Sequence, residues 1–393
     1  MQKLVLLSDS EHQLRINKIR EALGQHESAC GIFITDNANL FYVTGRVFAG
    51  IMYIGPTGEP LYFIRRPVEL SGDNVVYIRK PEDMANVVAT RFGHMASIGL
   101  ELDTMAYSMV KRLSGIFPAS EIINISGAMR KARAVKTPYE VKLIAESGVK
   151  HERVYRRIPH LYQEGMTDIE LQVEIERTSR LEGCLGQFRI CGGSMELYMG
   201  SILTGENADS PSPYDFAMGG AGMDPSLPVG ANGSEIKPGN TVMVDMNGNF
   251  NGYMTDMTRV FSLGNIDQLA QKAHACSIRI HRELSKMAVP GVEAKSLYEE
   301  AMRIVRDEDL ETYFMGHRQH AGFIGHGVGI EINELPVIAP RSRDILEVNN
   351  VIALEPKFVI PHIGAVGIEN TYVVTAQGLQ CLTNAPEEII GLE

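Results

Sequence analysis

Apolar positions recur at helical spacing over residues 11–24, where Leu14, Ile16, Ile19 and Leu23 share a face and Gly24 supplies a stop. The pattern then shortens to apolar, β-rich runs at 31–35, 40–44, 52–54 and 61–64, read as strands. Gly55-Pro-Thr-Gly58 makes a hairpin turn between the last two. Short helices and strands, one at 97–101, continue to about residue 125 and predict a small α/β domain. A basic connector from Met129 to Lys136 leads into Thr137-Pro138-Tyr139-Glu140, which places Thr at the N-cap, Pro at N1 and Glu at N3. The helix it opens is expected to reach about Arg157. Thr167-Asp-Ile-Glu170 repeats the signature and starts a second helix ending at Gly183. The boundary is placed at 128–136, giving domains of residues 1–128 and 129–393.

Residues 184–240 are rich in Gly, Ser, Pro and Asn, with a strand-like island at 201–204. A loop this long in a folded domain is usually functional or disordered. Beyond it the pattern predicts a hairpin over 241–262, helices over 267–288 and 293–306, and closing strands near 351–359 and 366–374. Strands with separate helices in this order predict an α+β fold rather than a doubly wound sheet.

The chain has 393 residues with 44% hydrophobic and 22% charged content, enough to bury a core in each domain. A net charge of −11 and the lack of any Lys/Arg-rich run argue against nucleic acid as a partner. Five scattered cysteines without C-x-x-C spacing predict reduced thiols, and a cytoplasmic location is expected. No run approaches the roughly 20 apolar residues of a membrane span. There is no Walker A loop, and Gly192-Gly-Ser194-Met-Glu196 fails the G-x-S-x-G pattern at its last position. His26-Glu27 and His151-Glu152 each lack the second His of a zincin helix.

The segment Val242 to Phe261 reads as two alternating strands around an Asn/Gly-rich turn. If the hairpin is symmetric about residues 250 and 251, Asp245 and Asp256 lie directly opposite on one face, a destabilising arrangement unless a cation lies between them. A turn cap and a solvent-facing Asp would also explain the pair. His326 stands between glycines in Gly325-His-Gly-Val-Gly329, where a structural hydrogen-bonding role is the plain alternative. Glu355 and Glu369 lie within apolar strand patterns, in Leu354-Glu-Pro356 and Gly367-Ile-Glu-Asn370. Glu is rarely buried without a partner. Salt bridges would account for each singly. Jointly, four carboxylates and an imidazole lack a matching set of Arg or Lys nearby, and two divalent cations would neutralise them. Oxygen-rich ligation with one His suits Mn, Fe, Co or Zn. Such a pair would activate a water for attack on a carbonyl, with Glu355 passing the proton to the leaving nitrogen.

The ordered set Asp245, Asp256, His326, Glu355 and Glu369, with its flanking glycines and proline, resembles the pita-bread metallopeptidases. These include methionine aminopeptidase, aminopeptidase P, prolidase and creatinase. Asn39-Leu-Phe-Tyr-Val-Thr-Gly45 is similar to the creatinase/prolidase N-terminal domain, and Arg133 to Glu140 to the family linker. The resemblance implies a creatinase-like α/β domain before a pita-bread catalytic domain. It further implies a homodimer with two divalent ions that acts as an Xaa-Pro exopeptidase of aminopeptidase P or dipeptidase type. Two positions depart from it. Asn333 and Val229 stand where family peptidases carry histidines that bind the substrate, so a hydrolase or lyase acting on a small non-peptide substrate is the alternative. His317 and His320, just upstream of His326, could compensate or be structural. Arg259 matches a family Arg, with a role in orienting a carboxylate near the metals or in a surface salt bridge.

Overall fold

The first helix runs from Asp9 to Gly24 and buries Arg15, Ile16 and Ile19. It belongs to the first of two units, Met1–Arg133 and Ala134–Glu393, into which the chain divides in a computed structural model that describes residues 2–24, 31–93, 95–192, 195 and 197–393. The His26-Glu27 pair, Ser194 and Glu196 lie outside the described residues.

The first unit is built on a six-stranded mixed sheet ordered Val75–Tyr77, Leu61–Arg66, Ala49–Ile54, Ile32–Ile34, Ser97–Leu100, Glu121–Asn124. The run expected as a strand at 40–44 is instead part of a helix, Asn37–Thr44. Its start and stop outweigh its β-rich composition. The Asp36 carboxylate accepts from the Ala38 and Asn39 N–H groups, and Gly45 closes the last turn with φ 71°. Asn39 donates from Nδ2 to the buried Glu101 at 2.7 Å and accepts from Arg133 at 2.9 Å, so this motif is structural here. The basic connector is also helical: Ser126–Ala134 buries Ala128, Met129, Ala132 and Arg133, a stripe at helical spacing.

The second unit opens with helix Pro138–Tyr155, whose Thr137–Glu140 capping box forms as expected, and Asp168–Leu181 repeats the device at Thr167. Its main sheets are a four-stranded one (Ile390–Gly391, Met254–Ser262, Thr241–Asn249, Gly200–Thr204) and a five-stranded one. The latter runs Glu334–Ile338, Gly325–Gly327, Val351–Leu354, Asn370–Thr375, Gly378–Cys381. A two-stranded ribbon, Lys357–Ile360 with Gly364–Gly367, completes the β-structure. Helix Gln268–Met287 packs against that ribbon, and Ala294–Asp307 packs against Gln268–Met287. Strands and helices are thus segregated, as the α+β expectation required. Among the described residues no helix is long and apolar enough to cross a membrane.

Candidate metal centre

Asp245 and Asp256 lie on the paired strands Thr241–Asn249 and Met254–Ser262, but not directly opposite. Asp245 pairs with Thr258, and Asp256 with Asn247. The turn is centred one residue later than the symmetric reading assumed, which moves the register by two. A slip of two preserves the face because side chains alternate with period two, so both carboxylates still project to one side, on a diagonal. Two clamps fix them there. The Tyr155 hydroxyl, from helix 138–155, accepts from the Met246 N–H at 3.1 Å and faces the carbonyls of Val244 and Met257. The Thr371 hydroxyl bonds both the N–H (2.8 Å) and the carbonyl (2.9 Å) of Asp256.

The two closing strands are each interrupted, and the interruptions carry Glu355 and Glu369. Residues 351–354 and 370–375 pair in the five-stranded sheet, whereas 357–360 and 364–367 form the separate ribbon. Pro356 cannot donate to a ladder, and Gly367 adopts φ 124°, a conformation that excludes most side chains. The chain therefore changes sheets at both glutamates. Arg259, 1% exposed, braces the second crossing: it donates to the Glu369 carbonyl at 2.8 Å, the Asn370 Oδ1 at 2.7 Å and the Pro386 carbonyl at 2.6 Å. Its burial corrects the surface salt bridge expected as one alternative; Arg259 touches no metal-facing carboxylate group and instead bonds the backbone that carries Glu369.

His326 lies on Gly325–Gly327, a strand flanked on both sides by partners. A Cβ on Gly325 would meet the Ala353 carbonyl at 2.5 Å, and one on Gly327 would run into the Leu335 carbonyl. The glycines thus admit neighbouring strands, not substrate. The His326 Nδ1 donates to the Gly327 carbonyl at 3.1 Å, which leaves Nε2 as the ring atom turned to the site, able to ligate a cation once it gives up its proton. Nε2 lies 3.3 Å from Glu355 Oε1 and 3.9 Å from Asp256 Oδ2.

All five expected residues converge, and their ligand atoms form two groups: Asp256, His326 and Glu369, and Asp245, Glu355 and Glu369. A sixth residue, absent from the sequence reading, joins them. Lys357 is fully buried, and its Nζ donates to Asp245 Oδ2 (2.8 Å), Glu355 Oε2 (2.8 Å) and Glu369 Oε2 (3.0 Å). The carboxylates expected to lack a matching set of Arg or Lys thus have one buried lysine among the four of them, which reduces the excess negative charge without matching it. Lys357 follows Glu355 by two residues in the stretch Glu-Pro-Lys-Phe-Val-Ile, and a lysine inside an apolar run was the available signal.

The charges are unevenly satisfied. Burial alone would raise Glu355, but Lys357 and His326 outweigh it and hold this carboxylate at about 2. Burial raises Glu369 to about 8, reinforced by Glu355 and only partly opposed by Lys357. Burial and the neighbouring carboxylates also raise Asp256 well above the usual range. Burial would lower Lys357, yet Asp245, Glu355 and Glu369 raise it. Glu369 Oε2 further accepts from the Thr258 hydroxyl at 2.8 Å, while Glu369 Oε1 is buried without a hydrogen-bond partner. A glutamate with one buried orphan oxygen, grouped with an imidazole and a second carboxylate, is a donor set that fits a divalent cation.

The centre opens into a pocket reached by Asp245, Asp256, His326 and Glu355. Ile190, Leu197, Phe216, Met218, Phe323 and Ile332 supply apolar walls, with Asp215, Asn247 and Asn333 as polar additions. Asn333 reaches this pocket, but its side-chain amide is engaged in two 2.7 Å bonds with the Cys191 backbone. Val229 is buried and is not part of the pocket lining. His317 (bonded to Asp209, 2.9 Å) and His320 (bonded to the Phe314 carbonyl, 2.9 Å) line a neighbouring pocket that shares Asp215–Met218. Sequence reasoning missed Asn247, whose Oδ1 is buried without a hydrogen-bond partner. Its place opposite Asp256 in the hairpin was the signal.

Comparison with known proteins agrees with this geometry. The family model of metallopeptidase family M24 matches residues 142–376, and that of the creatinase/prolidase N-terminal domain matches residues 15–135. The chain is 26% identical over 392 residues to an uncharacterized peptidase, YqhT, of Bacillus subtilis, covering 96% of this chain and 99% of that one. It is 25% identical to an Xaa-Pro dipeptidase of Pyrococcus furiosus, covering 91% and 94%. Among solved structures it superposes on a prolidase from Pyrococcus horikoshii OT3 with a TM-score of 0.78 at 21% identity, covering 96% and 99%. With its ligand residues gathered in this fold and the family model spanning more than half its length, the chain belongs to metallopeptidase family M24, as a peptidase-type enzyme with a creatinase/prolidase N-terminal domain.

Proposed function

We propose that the protein is a divalent-metal-dependent hydrolase that cleaves the C–N bond of a small amide, with Xaa-Pro peptides bearing a free amino end as the first substrate class. The convergence of Asp245, Asp256, His326, Glu355 and Glu369 at a pocket with apolar walls carries this reading. A divalent ion held there would polarise a carbonyl and lower the pKa of a water. The chain's own groups do the rest. Glu355 is held ionised and reaches the pocket, so it can take a proton from the attacking water and deliver it to the leaving nitrogen. Asp215 lines the pocket and can accept from a substrate ammonium or N–H. Among the described residues no Arg or Lys lines this pocket, which favours an aminopeptidase mode over one that grips a terminal carboxylate.

A second reading, hydrolysis or a lyase step on a small non-peptide substrate, is favoured by Asn333. Its amide is occupied by the Cys191 backbone and cannot copy a substrate-binding histidine without breaking those bonds. The deciding experiment loads the protein with Mn, Co, Zn or Fe and offers Xaa-Pro dipeptides, Xaa-Pro tripeptides and N-acyl amino acids. Tripeptide cleavage releasing the first residue supports the primary reading. If every peptide survives and only a non-peptide amide is hydrolysed, the second reading replaces it. A cytoplasmic homodimer is part of the proposal, and light scattering at several concentrations tests the stoichiometry.

A further inference from the structure

A full site of five ligands would hold two cations, yet one of the two ligand groups here is already filled by the chain itself. Lys357 Nζ lies 2.8, 2.8 and 3.0 Å from one oxygen each of Asp245, Glu355 and Glu369. These three residues are also one of the two potential metal groups. An ammonium has three N–H donors, and all three are used. A divalent ion on the same oxygens, at the roughly 2.0–2.2 Å of a metal–carboxylate bond, would sit against a buried positive charge. The other group, Asp256, His326 and Glu369, is different: Glu369 Oε1 has no hydrogen-bond partner, and Lys357 donates to none of Asp256, His326 or that oxygen.

We propose that the Lys357 ammonium takes the place of one cation, so that this chain binds a single divalent ion on Asp256, His326 and Glu369. The second ion of the family pair does not fit beside Lys357. Glu369 then touches both positive groups through separate oxygens, with the Thr258 hydroxyl on the lysine side. One ammonium and one dication leave one of four carboxylate charges uncompensated, which suits a pocket that receives a cationic or N–H-bearing substrate group. The inference rests on the metal-dependent reading above, but its test needs no substrate.

Metal-free protein is titrated with Mn2+ by calorimetry, and the product is examined by electron paramagnetic resonance. Wild type is expected to bind one equivalent and give the spectrum of an isolated ion. Lys357→Ala, which removes both bulk and charge, is expected to bind two and show an exchange-coupled pair; Lys357→Arg is expected to remain at one. Circular dichroism checks that the variants fold, and the wild-type stoichiometry decides the matter even if they do not. Two coupled ions in wild type would overturn the inference, as would none. A folded Lys357→Ala that stays at one equivalent would overturn it as well. Two ions with amide hydrolysis would sink this inference and spare the proposed function, while one ion without any hydrolysis would do the reverse.

Discussion

The catalytic unit buries two lysines against glutamate, and only one of them belongs to the candidate site. Lys136 and Glu334 form an ion pair at 2.9 Å, with side chains 1% and 2% exposed. The remaining needs are met locally: Glu334 Oε1 accepts the N–H groups of Ile330 and Glu331, each at 3.1 Å. Lys357 instead faces three carboxylates, with Asp256 and His326 beside them, and negative charge remains in excess. A buried ion pair is itself weak grounds for inferring function, because pairs like Lys136–Glu334 occur wherever burial is compensated. What separates a site from a strut is the residue of unmet charge.

The largest effect that would test this contrast is loss of the shared carboxylate. Glu369→Ala is expected to reduce kcat/KM by more than the roughly 100-fold ceiling for removing an outer-shell partner. Metal affinity, measured by calorimetry, should fall with it. Glu334→Ala should leave the metal affinity of the folded fraction unchanged. Equal metal affinity in both variants would erase the distinction.

A second comparison uses the lysines. Lys136→Met strands Glu334, and breaking a buried pair in this way costs about 3–5 kcal/mol. Urea unfolding should show that loss equally with chelator and with Mn2+. Lys357→Met should be comparably destabilised in chelator but largely restored by Mn2+, because a cation can take over from the ammonium. A Lys357→Met loss that ignores metal would mean that the site does not exchange one positive charge for the other.

Much of this was legible in the chain and some was not, for reasons visible at particular residues. The capping boxes at Thr137 and Thr167 are local chemistry, and both helices begin where the sequence places them. The ligand residues were legible because carboxylates in apolar strands demand partners. The hairpin register was not, since symmetric and shifted turns place Asp245 and Asp256 on the same face. Residues 37–44 misled because all but Asn37 and Phe41 are buried, so no amphipathic stripe marked the helix and only Asp36 and Gly45 did. Lys357 was overlooked because tertiary structure brings it to Asp245, 112 positions away in sequence. The break at Pro356 hid that it shares a site with its near neighbour Glu355.

The same contrast between compensated and uncompensated burial extends to the imidazoles, and gives the smallest expected effect. Burial would lower His326, but Glu355 and the surrounding carboxylates raise it instead. His151 is also fully buried, yet has no carboxylate to offset burial, and Arg259 adds to the shift; it falls from 6.5 to about 3. Its Nδ1 is bonded to the Thr255 hydroxyl at 3.0 Å, and its Nε2 has no hydrogen-bond partner. The folded value lies below the unfolded one, so the neutral ring's contribution is intact above about pH 6.5. It is lost as pH falls toward 3, where the unfolded chain binds the proton first. At pH 5 the loss is about 2 kcal/mol, from about 1.4 kcal/mol per pH unit. His274, at about 4, and His281, at about 3, act in the same direction. Glu369, raised to about 8, acts in the opposite direction over this window, so the check is the difference: between pH 7 and pH 5 in urea unfolding, His151→Gln should lose about 2 kcal/mol less stability than wild type. If the variant lost as much stability as wild type, His151 would not be held neutral by burial, and its difference from His326 would have to come from something other than the missing carboxylate.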